Sequence, residues 1–375
     1  MAAADSPREV RTQDALLEAL ATVDAAELVA VDTEFMRVDT YYPKFCLLQV
    51  ATPTAVYCID PLADLDLALL GARLAATRQP KLMHAARQDL EVLAPIGAGS
   101  PQPLIDTQLA AALLGLSDQI SYAAVVEQYC GVKIDKSQTR TDWSQRPLTA
   151  EQLSYAALDV TYLPPVWAAM EHALSTQGKL GWLHEECERL LTVRDDNAPA
   201  WQRVKGLASL EGRALAVACA LAEWREGIAR SADRPRNWIL KDEFLLALAR
   251  RLPRTLAALA DLQGLPAATV RRHGEALLAL VNDPDLAPPA TLPGRSPRLT
   301  PAGTRLLAEF QQYVRDQATA VSVAPTLIAA RRDLEQLIHG EGAPRLVQGW
   351  RAALVGAELI ARRARYLTED LCMPL

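Results

Sequence analysis

The chain has 375 residues, with 39 Lys and Arg against 45 Asp and Glu and a formal net charge of −6 at pH 7. That length allows two or three domains, and 50% hydrophobic with 22% charged residues excludes a disordered chain. No apolar run of about 18 residues is present, which excludes a hydropathy-type spanning helix.

Aromatic content is only 5%, and Ala and Leu dominate, which favours helices over sheet. Cys46, Cys58, Cys130, Cys187, Cys219 and Cys372 show no C-x-x-C spacing. They read as reduced packing residues, and a zinc site is not expected. The first nine residues lack the basic start and apolar stretch of a secretory leader, so a cytoplasmic location is expected. The charge is unevenly spread. Residues 1–197 hold 15 Lys and Arg against 27 Asp and Glu, a balance of −12, whereas residues 198–375 carry +6. An acidic first half suits a carboxylate site and a basic second half suits a polyanion, although solubilising helix faces would give the same bias.

In chain order, Asp14 to Ala21 predicts a short helix, and Leu28 to Phe35 a buried strand led by the apolar run Leu28-Val29-Ala30-Val31. Strand alternation sends Asp32 and Glu34 to one face. Two buried carboxylates side by side repel, and their pKa values rise unless a cation lies between them. Mg²⁺ or Mn²⁺ would be such a cation. Taken alone, Asp-x-Glu at a strand end is more often a solvated loop start, so its downstream company decides.

Residues 45–51 and 55–60 predict a hairpin around Thr52-Pro53-Thr54. A helix over 64–77, a short strand Lys81 to His84 and a helix from Arg87 follow, closed by Pro95 and the 97–103 loop. Leu104-Ile105 is a brief strand before helices at 106–116 and 121–129. Thr149 to about Ser175 reads as one long helix bent at Pro164-Pro165. Strands first antiparallel, then alternating with helices, predict a mixed α/β sheet with helices on both faces.

Beyond Asp195-Asp196-Asn197-Ala198-Pro199 the pattern is all helical, and a Pro-rich break over 283–297 divides it. Trp224-Arg225 followed by residues 235–243, and Tyr313-Val314-Arg315 followed by residues 324–329, read as two copies of one small bundle. The expected domains are therefore 1–197, 198–288 and 289–375. The indoles of Trp201, Trp224, Trp238 and Trp350 read as core. The Arg250-Arg251, Arg271-Arg272 and Arg362-Arg363 pairs read individually as solvated helix faces.

Two more acids join the first pair. Asp89 lies in the first turns of a helix directly after a buried strand, and Asp159 stands four residues after Tyr155, on the same helix face. Four converging carboxylates can hold two Mg²⁺ or Mn²⁺ ions about 4 Å apart, an arrangement that clamps a phosphodiester for hydrolysis. In this reading Asp32 bridges both ions, Glu34 and Asp159 complete the first, and Asp89 holds the second through water. One ion activates water and the other stabilises the leaving 3′ oxygen. Tyr155 orients the attacking water, since a phenol with an ordinary pKa near 10 is a poor base.

The segments Val31-Asp32-Thr33-Glu34-Phe35, His84-Ala85-Ala86-Arg87-Gln88-Asp89-Leu90 and Tyr155-Ala156-Ala157-Leu158-Asp159 resemble the three motifs of the DEDD exonuclease superfamily in its Tyr-type branch. Thr40-Tyr41-Tyr42-Pro43, Lys136-Ser137-Gln138 and Asp142-Trp143-Ser144 with Arg146-Pro147-Leu148 extend the likeness. With two repeats resembling the helicase-and-RNase-D C-terminal (HRDC) domain, the chain is most similar to the bacterial ribonuclease D family. The second repeat keeps Pro325 but lacks an equivalent of Trp238.

The resemblance implies an RNase H-like exonuclease domain followed by two small all-α bundles. It also implies two-metal 3′–5′ hydrolysis of RNA releasing nucleoside 5′-monophosphates, and trimming of structured RNA such as tRNA precursors. No membrane is expected from the hydropathy, and no obligate protein partner is evident in the sequence. Thr33, Phe35, Met36, His84, Trp143 and Arg146 are expected on the substrate side. Packing competes with that role for Phe35 and Met36, a satisfied core histidine for His84, and packing or helix capping for Trp143 and Arg146. A DNA exonuclease is the competing enzyme class, and an RNA-binding scaffold without activity the competing non-enzyme. The absence of a Gly-x-x-x-x-Gly-Lys-[Ser/Thr] loop argues against ATP-driven work.

Overall fold

The computed structural model describes residues 7–76, 79–134, 141–192, 198–289 and 299–372. The Lys136-Ser137-Gln138 segment lies outside the described residues, as do residues 290–297 of the Pro-rich break. The chain divides into two compact units. One takes in the described parts of Met1–Met36, Lys44–Val193 and Arg298–Leu375, and the other those of Arg37–Pro43 and Arg194–Pro297. This differs from three successive domains, because the C-terminal helices share a unit with the sheet.

The sheet of the first unit has six strands: β1 (Arg8–Val10), β2 (Val29–Met36), β3 (Lys44–Ala51), β4 (Val56–Ile59), β5 (Lys81–Met83) and β6 (Leu104–Asp106). Their spatial order is β1-β4-β3-β2-β5-β6. The β2–β3 and β3–β4 pairs are antiparallel, and β1–β4, β2–β5 and β5–β6 are parallel. This is the expected mixed sheet, with β1 an edge strand too short to show a pattern. β2 is central, so its first three residues are buried on both faces and read as an apolar run. A register shift between Glu34 and Phe35 ends the regular ladder just past the second acid.

Helices α1 (Gln13–Ala25), α2 (Leu67–Ala75), α3 (Arg87–Leu93), α4 (Thr107–Leu113), α5 (Tyr122–Cys130), α6 (Ala150–Thr161), α7 (Leu163–Thr176) and α8 (Leu180–Thr192) accompany the sheet. The predicted long helix is two. Tyr162 separates α6 from α7, and Pro164-Pro165 occupy the first turn of α7, where proline starts a helix rather than bends one. α6 begins with a capping box between Thr149 and Gln152. It lies over β2, β3 and β4, where Ala156 and Ala157 meet Leu47, Cys58 and Trp143.

The C-terminal helices α14 (Pro301–Val321), α15 (Pro325–Ile328), α16 (Arg331–His339), α17 (Pro344–Val347), α18 (Gly349–Arg351) and α19 (Ala357–Cys372) share this unit's main core. Arg351, with no exposed surface, forms a buried ion pair with Glu186 of α8 and donates to the carbonyls of Leu327 and Ile328. The Trp182 and Trp350 rings stack at 4.7 Å with 10° between planes. Lys179 Nζ donates to the carbonyls of Leu113 (2.8 Å) and Ser322 (3.0 Å), and Ala324 N to Ala112 O (2.8 Å).

The second unit is helical: α9 (Gly212–Ser231), α10 (Arg236–Ile239), α11 (Asp242–Arg251), α12 (Leu256–Ala260) and α13 (Ala267–Asn282), around Trp201, Leu221, Leu245, Leu248 and Leu277. The order of long, short, medium and short helices in α9–α12 recurs in α14–α17, as the repeat pattern led us to expect. Residues 37–43 group here. The Tyr41 hydroxyl donates to Glu226 and accepts from Arg230 Nε and Arg236 Nη2, both at 3.0 Å. One indole corrects the expectation of core tryptophans. Trp238 is 61% exposed, whereas Trp201 and Trp350 are buried. Among the described residues no helix is long and apolar enough to cross a membrane.

Candidate active site

Asp32 and Glu34 project from β2 on the side covered by α6, opposite Gln49 and Leu47 of β3. Asp159, near the end of α6, descends onto them. One carboxylate oxygen from each of Asp32, Glu34 and Asp159 lies within 4.8 Å of the others. Thr33, between the two strand acids, turns the other way by alternation, and its hydroxyl donates to Asp89 Oδ1 at 2.5 Å.

Asp89 is placed by a tight turn. After β5 the chain passes through Ala85 at φ 58°, a left-handed conformation unfavourable for alanine. The Asp106 carboxylate holds that turn, accepting from Ala85 N (3.1 Å), Ala86 N (2.9 Å) and, as the cap of α4, Gln108 N (2.8 Å).

The electrostatics follow from crowding. Burial pushes the Asp32 pKa well above the usual carboxylate range, and the charges of Asp89, Asp159 and Glu34 push it further. Glu34 rises to about 8 through burial and the repulsion of Asp159 and Asp89. Burial lifts Asp159 to about 7. It lifts Asp89 to about 6, against the lowering effect of the Thr33 hydroxyl. Asp32, Glu34 and Asp159 thus form a compact oxygen-donor set that suits a hard divalent cation. Asp89 acts from beside this trio, held by Thr33.

Tyr155 stands on the same face of α6 as Asp159, half-buried, with its ring 6.2 Å from that of Trp143. Several expected substrate contacts have other work. Trp143 is 2% exposed and packs beneath Tyr155. Arg146 is committed to both oxygens of Asp60 (2.7 and 2.6 Å) and to the carbonyls of Cys46 (2.6 Å) and Trp143 (2.8 Å), so it staples the segment before α6 to the sheet. Both ring nitrogens of His84 are taken, by Thr107 Oγ1 (2.9 Å) and Ile120 O (3.0 Å). Thr33 serves Asp89, and Met36 packs against the cluster that includes Leu47 and Trp143. Phe35, half-buried past the register shift, is the member of that group these contacts leave open to a substrate role.

Two residues near the site escaped the sequence reading. The Tyr122 hydroxyl donates to Leu158 O (2.8 Å) and accepts from Tyr162 N (3.2 Å), bracing the end of α6 that carries Asp159. Gln49 is fully buried beside Asp32. Its signal was available, as a lone amide inside an apolar strand run.

The 3′–5′ exonuclease family matches residues 7–175 and the HRDC domain family residues 214–281. Ribonuclease D of Acidiphilium cryptum is 37% identical over 363 residues, 94% of this chain and 92% of that protein. Ribonuclease D of Escherichia coli is 36% identical over 363 residues, covering 93% and 96%. The crystal structure of Escherichia coli RNase D, described as an exoribonuclease involved in structured RNA processing, superposes with a TM-score of 0.86 at 33% identity. That match covers 97% of this chain and 99% of the other. The catalytic core of RRP6 from Trypanosoma brucei follows at a TM-score of 0.59 and 25% identity, covering 76% and 83%. Relatives of this closeness span almost the whole chain, and the carboxylate cluster falls within the stretch matched by the exonuclease family, so the chain belongs to the ribonuclease D family and is a 3′–5′ exoribonuclease.

Proposed function

We propose that the enzyme trims the 3′ ends of structured RNAs, tRNA precursors among them, in the cytoplasm, releasing nucleoside 5′-monophosphates. Asp32, Glu34, Asp89 and Asp159 are read as holders of two Mg²⁺ or Mn²⁺ ions, and Tyr155 as the residue that orients the attacking water. The observation that carries this reading is the convergence of Asp32, Glu34 and Asp159 within 4.8 Å while burial raises all three proton affinities. When bound, a metal pair would supply an activated water and charge neutralisation at the leaving oxygen.

The protein's own part is positional. Thr33 fixes Asp89, Tyr122 braces the end of α6, and Tyr155 presents its phenol from the helix face that carries Asp159. Phe35 offers a face for the terminal base. The exposed indole of Trp238, with the Arg234 guanidinium 5.7 Å from its ring, by itself suits stacking of an RNA base. The module boundaries 1–197, 198–288 and 289–375 remain our reading of the chain's ancestry, with the two family matches falling in the first two.

The test is a parallel digestion of 3′-extended tRNA, unstructured RNA and single-stranded DNA with each metal. Release of 5′-monophosphates fastest from the extended tRNA is expected. Faster DNA hydrolysis would favour the DNA exonuclease, and activity undiminished in Asp32→Asn would remove the carboxylates from the chemistry.

A further inference from the structure

Gln49 is a fully buried side chain in the middle of β3, and neither its Oε1 nor its Nε2 has a hydrogen-bond partner in the structure. Native proteins rarely keep a buried amide in that condition, and where they do, it marks a functional demand or a mediating water. Its place in the sheet narrows the demand. Gln49 pairs across the ladder with Asp32 on one side and with Cys58 on the other, so the three side chains form one row on the face covered by α6. Cys58 is turned towards the carbonyl of Leu153, with its Sγ at 3.8 Å. The charged neighbour in the row is Asp32, directly opposite Gln49 in the ladder, where facing Cβ atoms stand about 4.5–5.5 Å apart.

We infer that Gln49 is a positioning residue for Asp32, its Nε2 donating to the Asp32 carboxylate through one water or after a rotamer change and so fixing which oxygen faces the cation. The role rests on the reading of Asp32 as a metal ligand. Ligating carboxylates are commonly oriented by such outer hydrogen bonds, and loss of one lowers metal affinity about 10- to 100-fold. The arrangement also explains why an amide is retained where every packing consideration favours Leu or Met. An apolar residue of the same size would fill β3 equally well but would remove the amide opposite Asp32, leaving its carboxylate to the Thr33 backbone hydrogen bond.

The experiment is isothermal titration of the full chain with Mn²⁺, with thermal unfolding of each variant in chelator. Gln49→Met keeps the volume and removes the amide; Gln49→Leu is the second variant should the first not fold. We expect Mn²⁺ affinity to fall at least tenfold, the metal-free melting temperature to stay level or rise, and kcat to fall with KM for RNA unchanged. Cys58→Ala, on the far side of Gln49 in the same row, perturbs packing alone and is expected to leave Mn²⁺ affinity within threefold of the parent. Affinity within threefold of the parent in Gln49→Met overturns the inference, as does an equal loss in Cys58→Ala. A parent protein that takes up no Mn²⁺ would instead overturn the metal reading of the site. A parent that binds, with Asp32→Asn that does not and Gln49→Met that still does, defeats only the role given to Gln49.

Discussion

Asp32→Asn is expected to make the metal-free protein more stable while it destroys activity, and the stability gain should depend on pH. In the parent without metal, Glu34 titrates at about 8 and Asp159 at about 7, and Asp32 is raised well above its ordinary value. Unfolded, these groups titrate near 4. A carboxyl whose folded pKa is raised stabilises the fold fully below its unfolded pKa, and that contribution is lost as pH rises through the folded pKa. The window therefore runs from about pH 4 to about pH 8. Each pKa unit corresponds to about 1.4 kcal/mol, so raising Asp159 from near 4 to about 7 is worth up to about 4 kcal/mol at pH 8.

Asn at position 32 removes one of the mutually repelling charges outright. Water that still reaches the rim of the cluster screens part of the effect, leaving an expected gain of about 1–3 kcal/mol at pH 8 that shrinks to within about 0.5 kcal/mol at pH 5. Urea unfolding of both proteins in chelator at pH 5, 6.5 and 8 measures the difference, and taking the difference cancels titrations the two share. Added Mn²⁺ should stabilise the parent more at pH 8 than at pH 5.5, since the ligands must first lose protons, and should do little for the variant. An Asp32→Asn protein less stable than the parent at pH 8, or a gain independent of pH, would refute the argument.

Three other outcomes follow from the structure. Arg351→Met should cost about 2–3 kcal/mol, less than a wholly unpaired buried charge, because the Glu186 carboxylate loses its buried partner but keeps Arg189 and the Trp350 indole, and pairing it with Glu186→Leu should restore part of the loss in chemical denaturation. Burial alone would raise Glu186, but the hydrogen bonds and charge of Arg351 hold it at about 2, so its contribution is present above about pH 4.5 and disappears as pH falls towards 2. Tyr155→Phe should lower kcat at least tenfold with KM for RNA nearly unchanged in steady-state assays; a loss confined to KM would contradict water orientation. Trp238→Ala should change stability by less than about 0.5 kcal/mol, since the indole is exposed, yet weaken RNA binding by about 1–3 kcal/mol in filter-binding titrations.

The order of elements and the acids of the site were legible because both are local signals. An apolar run ending in Asp-x-Glu needs only strand alternation to be placed, and Tyr155 with Asp159 needs only the helix repeat. What was illegible depends on partners distant in sequence. Nothing around Arg146 distinguishes an arginine bound to Asp60 from one awaiting a phosphate, and nothing around His84 announces Ile120. The proline pair at 164–165 signals either a bend or a start, and only the packing of α7 selects the start. Trp238 follows the same apolar rhythm as its buried neighbours, and its exposure comes from its place on the four-residue α10. The C-terminal bundle looked like a detachable module because Glu186 and Arg351, 165 positions apart, leave no periodic trace of their pairing.

That pairing sets an order of events during synthesis. When the ribosome has released the sheet and α8, Glu186 has Arg189 of its own helix but not Arg351, the Trp182 ring lacks its stacking partner and Lys179 lacks the Ser322 carbonyl. All three arrive only with α14–α18, more than a hundred residues later. Contacts of such long sequence separation close last. The nuclease core is therefore completed only after nearly the whole chain has emerged, and a polypeptide interrupted before α14 carries all four site carboxylates on an unfinished scaffold.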